Sequence, residues 1–248
     1  MDPANVQARR RLLLRGFLRP YFQEWKRLEH WKGKSFVAPQ RLFKREKALY
    51  FPNLWGWTLE KDGASGKDMT PVLRGKVSLV TIQSGVWAQE QVKTFLGKKE
   101  NPELAKLMEE NRFLLQRVDA NIQDHWFRAW LLKLFKNNLR KTRSEADWGR
   151  HFTVRLSRDT GKGLTEDIRD AIGLLNSQVG YVYLLDGECR VRWAASALAW
   201  DGEIENLNAG VKRLIEEARE TKLSATRPAR NADPVRPHRE EKIRSAIA

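Results

Sequence analysis

Apolar and polar positions follow two rhythms along the chain, and the switches between them mark strands and helices. Val77-Ser-Leu-Val-Thr-Ile-Gln83, opened by Gly75-Lys76, is a run of β-branched and apolar residues that predicts a buried strand. Ser84-Gly85 then turns the chain into a helix holding Val86, Trp87, Val92, Phe95 and Leu96. Asn101-Pro102 opens a second short helix through Glu110. Phe113 to Asp119 and His151 to Arg155 read as two further strands. Before all of these, Phe51-Pro52-Asn53 and the Gly/Asp/Ser-rich stretch from Lys61 to Asp68 read as loops leading into the folded part.

The strongest helical pattern spans Ile122 to Lys141. Ile122, Trp126, Phe127, Trp130, Leu131, Leu134 and Phe135 recur at steps of three and four, with Arg128, Lys133, Lys136 and Arg140 on the opposite arc. A further helix is capped by Thr165, carries Glu166 and Asp167 in its first turn, and has Ile168, Ile172 and Leu175 as its apolar face. Tyr181-Val-Tyr-Leu-Leu185 and Arg190-Val-Arg-Trp-Ala194, joined by Asp186-Gly187-Glu188-Cys189, predict a β-hairpin. Strict alternation there puts Arg190 and Arg192 on one face, and Val191 and Trp193 on the other. A last helix, with Asp201 as its cap, has Ile204, Leu207, Val211, Leu214 and Ile215 on one stripe. The order predicts an α/β fold, a mixed β-sheet flanked by helices. It resembles the order of a thioredoxin-like fold.

Charge divides the 248 residues into three parts. The net charge of +15 splits into +9 over residues 1–47, +2 over 48–220 and +4 over 221–248. This predicts a nearly neutral folded domain over 48–220 between extended basic N- and C-terminal segments. The tail from Thr221, with Pro228, Pro234 and Pro237 among polar residues, reads as a flexible extension. Arg9-Arg10-Arg11-Leu12-Leu13-Leu14-Arg15 with Phe17, Leu18 and Arg19 fits either part of a mitochondrial presequence or an exposed basic helix. The longest run without charged side chains, Ala171 to Leu185, is interrupted by Gly, Asn, Ser and Gln, so no spanning helix is expected there.

Catalytic constellations are missing. In thioredoxin-like enzymes the nucleophilic thiol sits where the first long strand meets its helix, whose N-terminus lowers the thiol pKa. The equivalent Gln83-Ser84-Gly85-Val86-Trp87-Ala88 has no Cys, and Ser177-Gln178-Val179-Gly180 lacks the proline that such enzymes place before the hairpin. The one cysteine, Cys189, has no resolving partner and reads as a small hydrophobe. Gly63-Ala-Ser-Gly66-Lys67-Asp68 is too short for a phosphate loop and has Asp where Ser or Thr belongs. Gly161-Lys-Gly163 lacks a third glycine, and no Gly-x precedes Ser84 as a nucleophile turn requires. His125 and His151 have no ligand partner at helical spacing and read as structural. No enzyme, cofactor or metal site is expected.

The basic, aromatic helix 122–141 can lie on an anionic membrane surface. The simpler reading, in which its aromatic stripe covers the sheet, is preferred, and both hold if the aromatic arc is wider than the sheet needs. Trp126, Phe127, Trp130, Lys133, Lys136 and Arg140, with Trp200 after the hairpin, are therefore the candidate client or membrane surface.

Several blocks resemble a known family. Lys47-Ala-Leu-Tyr-Phe-Pro-Asn-Leu54, Gly75-Lys-Val-Ser-Leu-Val80, Ser84-Gly85 with Trp87-Ala88, and Arg117-Val-Asp119 with Trp126 are similar to blocks of the fungal mitochondrial ATP synthase assembly factor called ATPase complex subunit ten. The later blocks, Leu134-Phe135 to Leu139-Arg140-Lys141, Ile172 to Ser177, Val179 to Asp186 and Cys189 to Ala194, resemble it more closely. The resemblance, over about Tyr21 to Glu217, implies a thioredoxin-like fold without redox cysteines. It also implies a chaperone-like protein, peripheral on the matrix side of the mitochondrial inner membrane. Its client would be newly made ATP synthase subunit a, joined with its help to the ring of c subunits, with no small-molecule substrate. The alternative is a mitochondrial RNA- or ribosome-associated basic protein. Against it, an RNA-binding domain carries its basic patch on the folded core, and this core is close to neutral.

Overall fold

The computed structural model describes residues 33–60, 66–123, 140–141, 143–155, 168–169, 172–176 and 178–226. Among them, seven strands form one sheet: β1 (Trp55–Thr58), β2 (Lys67–Asp68), β3 (Val77–Gln83), β4 (Leu115–Gln123), β5 (His151–Arg155), β6 (Tyr181–Leu185) and β7 (Val191–Ser196), in the order β2-β1-β5-β4-β3-β6-β7. The helices are α1 (Thr70–Leu73), α2 (Val86–Leu96), α3 (Pro102–Glu110) and α4 (Glu203–Thr226), with 3-10 turns η1 (Arg45–Lys47) and η2 (Glu145–Arg150).

β3 lies inside the sheet with all seven residues buried, as its run of β-branched and apolar residues predicts. It pairs parallel with β4 and antiparallel with β6, and β6 pairs antiparallel with β7. A helix follows β3 and another follows β7. That arrangement, β4-β3-β6-β7 with these two helices, is thioredoxin-like. Val80 and Ile82 face a core with Val118, Phe152, Tyr181 and Tyr183. Val77 and Leu79 face the other layer, where Val92 and Phe95 of α2 meet Leu207, Val211 and Leu214 of α4. Asn101 starts α3 as expected: its side chain accepts the Leu104 N–H at 3.0 Å, and Pro102 needs no such acceptor.

Five sequence expectations are corrected. Lys67–Asp68 ends the stretch expected to be a loop yet is a strand, paired with Trp55–Thr58, a strand between the two expected loops that takes its other ladder partner from β5, distant in the chain. Second, β4 begins at Leu115 and runs on to Gln123, so Ile122 belongs to a strand and not to a helix start. The parallel ladder to β5 holds Ile122 opposite Val154, one residue past the end of the β3 ladder, and it is buried. Phe113 falls in the preceding turn and is exposed. Third, the hairpin carries a bulge: Leu184 faces Trp193 while Leu185 faces Val191, so Arg192 is the extra residue. The slip sends Val191 toward Tyr183 and Trp193 toward Phe95, on opposite faces. Fourth, α4 starts at Glu203 rather than on an Asp201 cap, and the Glu203 carboxylate accepts the Trp200 N–H at 2.9 Å. In the segment before β6, Ile172 is buried but Leu175 is exposed, so it is not part of the apolar face. Thr165, Glu166 and Asp167 lie outside the described residues.

Residues 35–50 run beside β7. Ser35 N–H donates to Ser196 Oγ at 3.0 Å, Trp193 Nε1 to Pro39 O at 2.9 Å, Phe43 N–H to Arg192 O at 2.7 Å, and Val191 N–H to Leu49 O at 2.8 Å. The β7 edge of the sheet is thereby covered.

Candidate functional site

The carboxyl end of β3 is where thioredoxin-like proteins carry their chemistry. Here Gln83 leads through Ser84 to Gly85, an extended residue at the start of α2. The first two helical residues, Val86 and Trp87, are 75% and 46% exposed. Ala88, Gln91, Val92, Phe95 and Leu96 form the i, i+3, i+4, i+7, i+8 stripe that α2 buries, and Val86 and Trp87 lie off it.

The loop before β6 closes on this helix. Gly180 N–H donates to the buried Gln91 Oε1 at 2.8 Å. A Cβ at Gly180 would stand 2.5 Å from Ala88 O, so the close approach requires glycine. Because β6 and β7 are antiparallel, the end of β7 returns to the same end of the sheet, where Ala197 N–H donates to Gly180 O at 2.7 Å. Leu198 and Trp200, just beyond, are exposed.

Cys189 is far from this end. It lies in the turn between β6 and β7, so the five residues of β6 separate it from Ser84 by roughly 17 Å. Its side chain is buried in the core, and its backbone φ is 65°. Burial pushes its thiol up, against the opposing pull of Arg74. A raised, buried thiol is the reverse of an activated nucleophile. Among the described residues, no group of three or more His, Cys, Asp or Glu side chains could hold a metal ion.

Trp126, Phe127, Trp130, Lys133 and Lys136 lie outside the described residues. Arg140 and Trp200 are described, and the fold does not bring them together. Arg140 Nε donates to Leu59 O, just past β1, at 2.6 Å, and its guanidinium stacks 5.2 Å from the Trp148 ring. Trp200 follows β7, five strand spacings away across the sheet order, or roughly 24 Å.

Fold and site define a thioredoxin-like domain whose nucleophile position is filled by Ser84-Gly85-Val86-Trp87. A family model described as ATP10 protein matches residues 1–214, and the chain belongs to that family. It is 27% identical over 214 residues to "Probable mitochondrial ATPase complex subunit atp10" of Schizosaccharomyces pombe, covering 86% of this chain and 72% of that one. It is 28% identical over 220 residues to "Mitochondrial ATPase complex subunit ATP10" of Candida glabrata, covering 87% and 75%. The Eremothecium gossypii protein of the same description is 29% identical, and the match spans 66% of this chain and 56% of that relative. Among solved structures it is similar to a putative thiol:disulfide interchange protein DsbE from Chlorobium tepidum (TM-score 0.40, 12% identical, 68% of this chain and 97% of that one). A secreted thiol-disulfide isomerase from Corynebacterium glutamicum is another (TM-score 0.42, 10% identical, 73% and 93%).

Proposed function

We propose that the protein is a non-enzymatic, chaperone-like assembly factor for the membrane sector of the mitochondrial F-type ATP synthase. In this reading it binds newly made subunit a and promotes its association with the c-ring. It works as a peripheral protein on the matrix side of the inner membrane. The observation that carries the reading is the family match over residues 1–214, with relatives named as mitochondrial ATPase complex subunits. Two features support it. The position of the redox nucleophile holds Ser84-Gly85-Val86-Trp87, and the +9 of residues 1–47 suits import and an anionic membrane surface. Among the described residues, no helix is long and apolar enough to cross a membrane.

Deleting the gene is expected to deplete subunit a from assembled synthase while translation of its messenger continues. Normal assembly in the deletion strain overturns the reading. The client surface is tested by photocrosslinkers at Trp200 and Trp87, read separately from crosslinkers in the 126–136 stretch. Charge reversal at Lys133 and Lys136 is expected to weaken membrane association. Arg140 is left intact in that test, since its side chain is engaged by Leu59 O. Retention through a salt or carbonate wash like wild type removes the stretch from the surface.

A further inference from the structure

Strand alternation places Arg117 and Asp119 of β4 on one face of the sheet, the α2 side. Asp119 is buried, and its carboxylate is satisfied by three side chains. Oδ1 accepts from Thr81 Oγ1 at 2.8 Å and from Arg117 Nε at 2.7 Å, and Oδ2 accepts from Arg143 Nη1 at 2.9 Å. His151 Nδ1, from the neighbouring strand, stands 3.8 Å from Oδ2, too far to bond. One carboxylate therefore holds two guanidinium groups.

Those two groups are not consumed by it. The side chains of Arg117 and Arg143 are 34% and 33% exposed and line a cavity of about 750 Å³. Among the described residues, Arg117 commits only Nε and Arg143 only Nη1 of its side chain. The remaining N–H donors of both have no partner there, although a guanidinium carries five. Lys98, Lys106 and Arg150 line the same cavity, so five cations face the three carboxylates of Asp119, Glu109 and Asp147. Arg150 is the most committed of these cations, donating to Asp147 Oδ1 at 2.7 Å and to Ala146 O at 3.0 Å.

A planar fork with spare donors suits the oxygens of a phosphate, and two such forks held by a buried carboxylate are already ordered before a ligand arrives. We propose that this cavity binds a phosphate-bearing anion, with Arg117 and Arg143 as the paired ligands and Lys98 at the rim. The proposal goes beyond the assembly reading and does not depend on it. The phosphate can belong to a soluble anion or to the headgroup of an acidic phospholipid, and the chemistry at the arginines is the same.

The test uses the full chain. Inorganic phosphate is titrated at constant ionic strength and followed by amide chemical shifts. In parallel, flotation is measured with vesicles of phosphatidylcholine containing one fifth phosphatidylglycerol. Saturable phosphate binding is expected. Arg143→Gln leaves Arg117 on Asp119 and should weaken binding about tenfold, the worth of a charge-assisted contact. Lys98→Gln touches no buried group, so its smaller weakening reports on the cavity even where Arg143→Gln disturbs folding. Lys44→Gln, on the segment beside β7, should change nothing. Flotation that Arg143→Gln or Lys98→Gln reduces, and that free phosphate competes away, identifies the headgroup as the source. Saturable phosphate binding with flotation indifferent to both substitutions identifies a soluble anion. Absence of saturable binding together with indifferent flotation overturns the proposal. So does phosphate binding that neither substitution alters.

Discussion

Lys34 Nζ lies 2.5 Å from Glu203 Oε2, with the two side chains only 2% and 3% exposed. The pair fastens the segment before β1 to the first turn of α4. Lys34 also donates to Leu198 O at 2.8 Å and sits 4.8 Å from the Trp200 ring centre. Glu203 Oε1 accepts the Ala38 N–H at 2.8 Å. Burial pushes the Lys34 ammonium down, and Glu203 only partly offsets it.

Removing one member of such a pair leaves a buried charge. Glu203→Gln should lower stability by about 3 kcal/mol in urea denaturation at pH 7. Adding Lys34→Met should return part of that loss, because no charge is then left uncompensated while the Gln oxygen still serves Ala38 N–H. A double variant less stable than Glu203→Gln alone sinks this account.

Asp119 predicts an acid limb. Burial by itself would raise its carboxyl, but Arg117, with Arg143, holds it well below the usual carboxylate range. The sign follows: with the folded value depressed, its stabilisation is present above the unfolded value of about 3.9 and is lost as pH falls below it. Asp119→Asn should cost about 3 kcal/mol at pH 7. Its stability should also fall less than that of wild type between about pH 4 and 2. Parallel acid limbs for the two proteins contradict the assignment.

Gly180 is a contact point between the loop before β6 and α2. Gly180→Ala should destabilise by about 2 kcal/mol, since its Cβ meets backbone that has no room to yield. Gly85→Ala is the control, with an extended backbone and nothing within 4 Å of the added Cβ. Equal melting temperatures for the two variants refute the packing argument.

Cys189 should be chemically quiet. In the native protein at pH 8 a disulfide reagent should modify it more slowly than in the urea-unfolded chain, by roughly tenfold or more. Cys189→Ser should also complement the gene deletion. Native labelling as fast as unfolded labelling, or failure of the serine variant to complement while folded, would restore a role for the thiol.

Much of the fold was legible in short-range pattern. β3, β5, α2, α3 and the hairpin strand β6 follow the runs and caps read from sequence, because each buries a stripe that local spacing reveals. The empty nucleophile position was equally visible, since it needs only the absence of a cysteine at a strand-to-helix turn. The short β1 was not, because its alternation is inverted, with Gly56 and Thr58 buried and Trp55 and Trp57 half-buried, and its partners β5 and β2 are set by tertiary pairing. The exposure of Val86 and Trp87 was not read from the run of apolar residues that they open, although both lie off the stripe that α2 buries. The separation of Arg140 from Trp200 was not, as it depends on strand order.

By itself, then, the sequence determined most of the strands and helices in the core, that the charge excess lies at the ends, and that the thioredoxin-like site lacks its thiol. Only the tertiary structure decided that Ile122 joins a ladder, that a bulge parts Val191 from Trp193, and that Lys34 pairs with Glu203 across 169 positions. It alone set two arginines on Asp119, one of them 24 positions away. The physical reason is range. Periodicity records what each residue must bury against its own neighbours, whereas a hydrogen-bond or charge partner is chosen by the ladder that brings remote segments together.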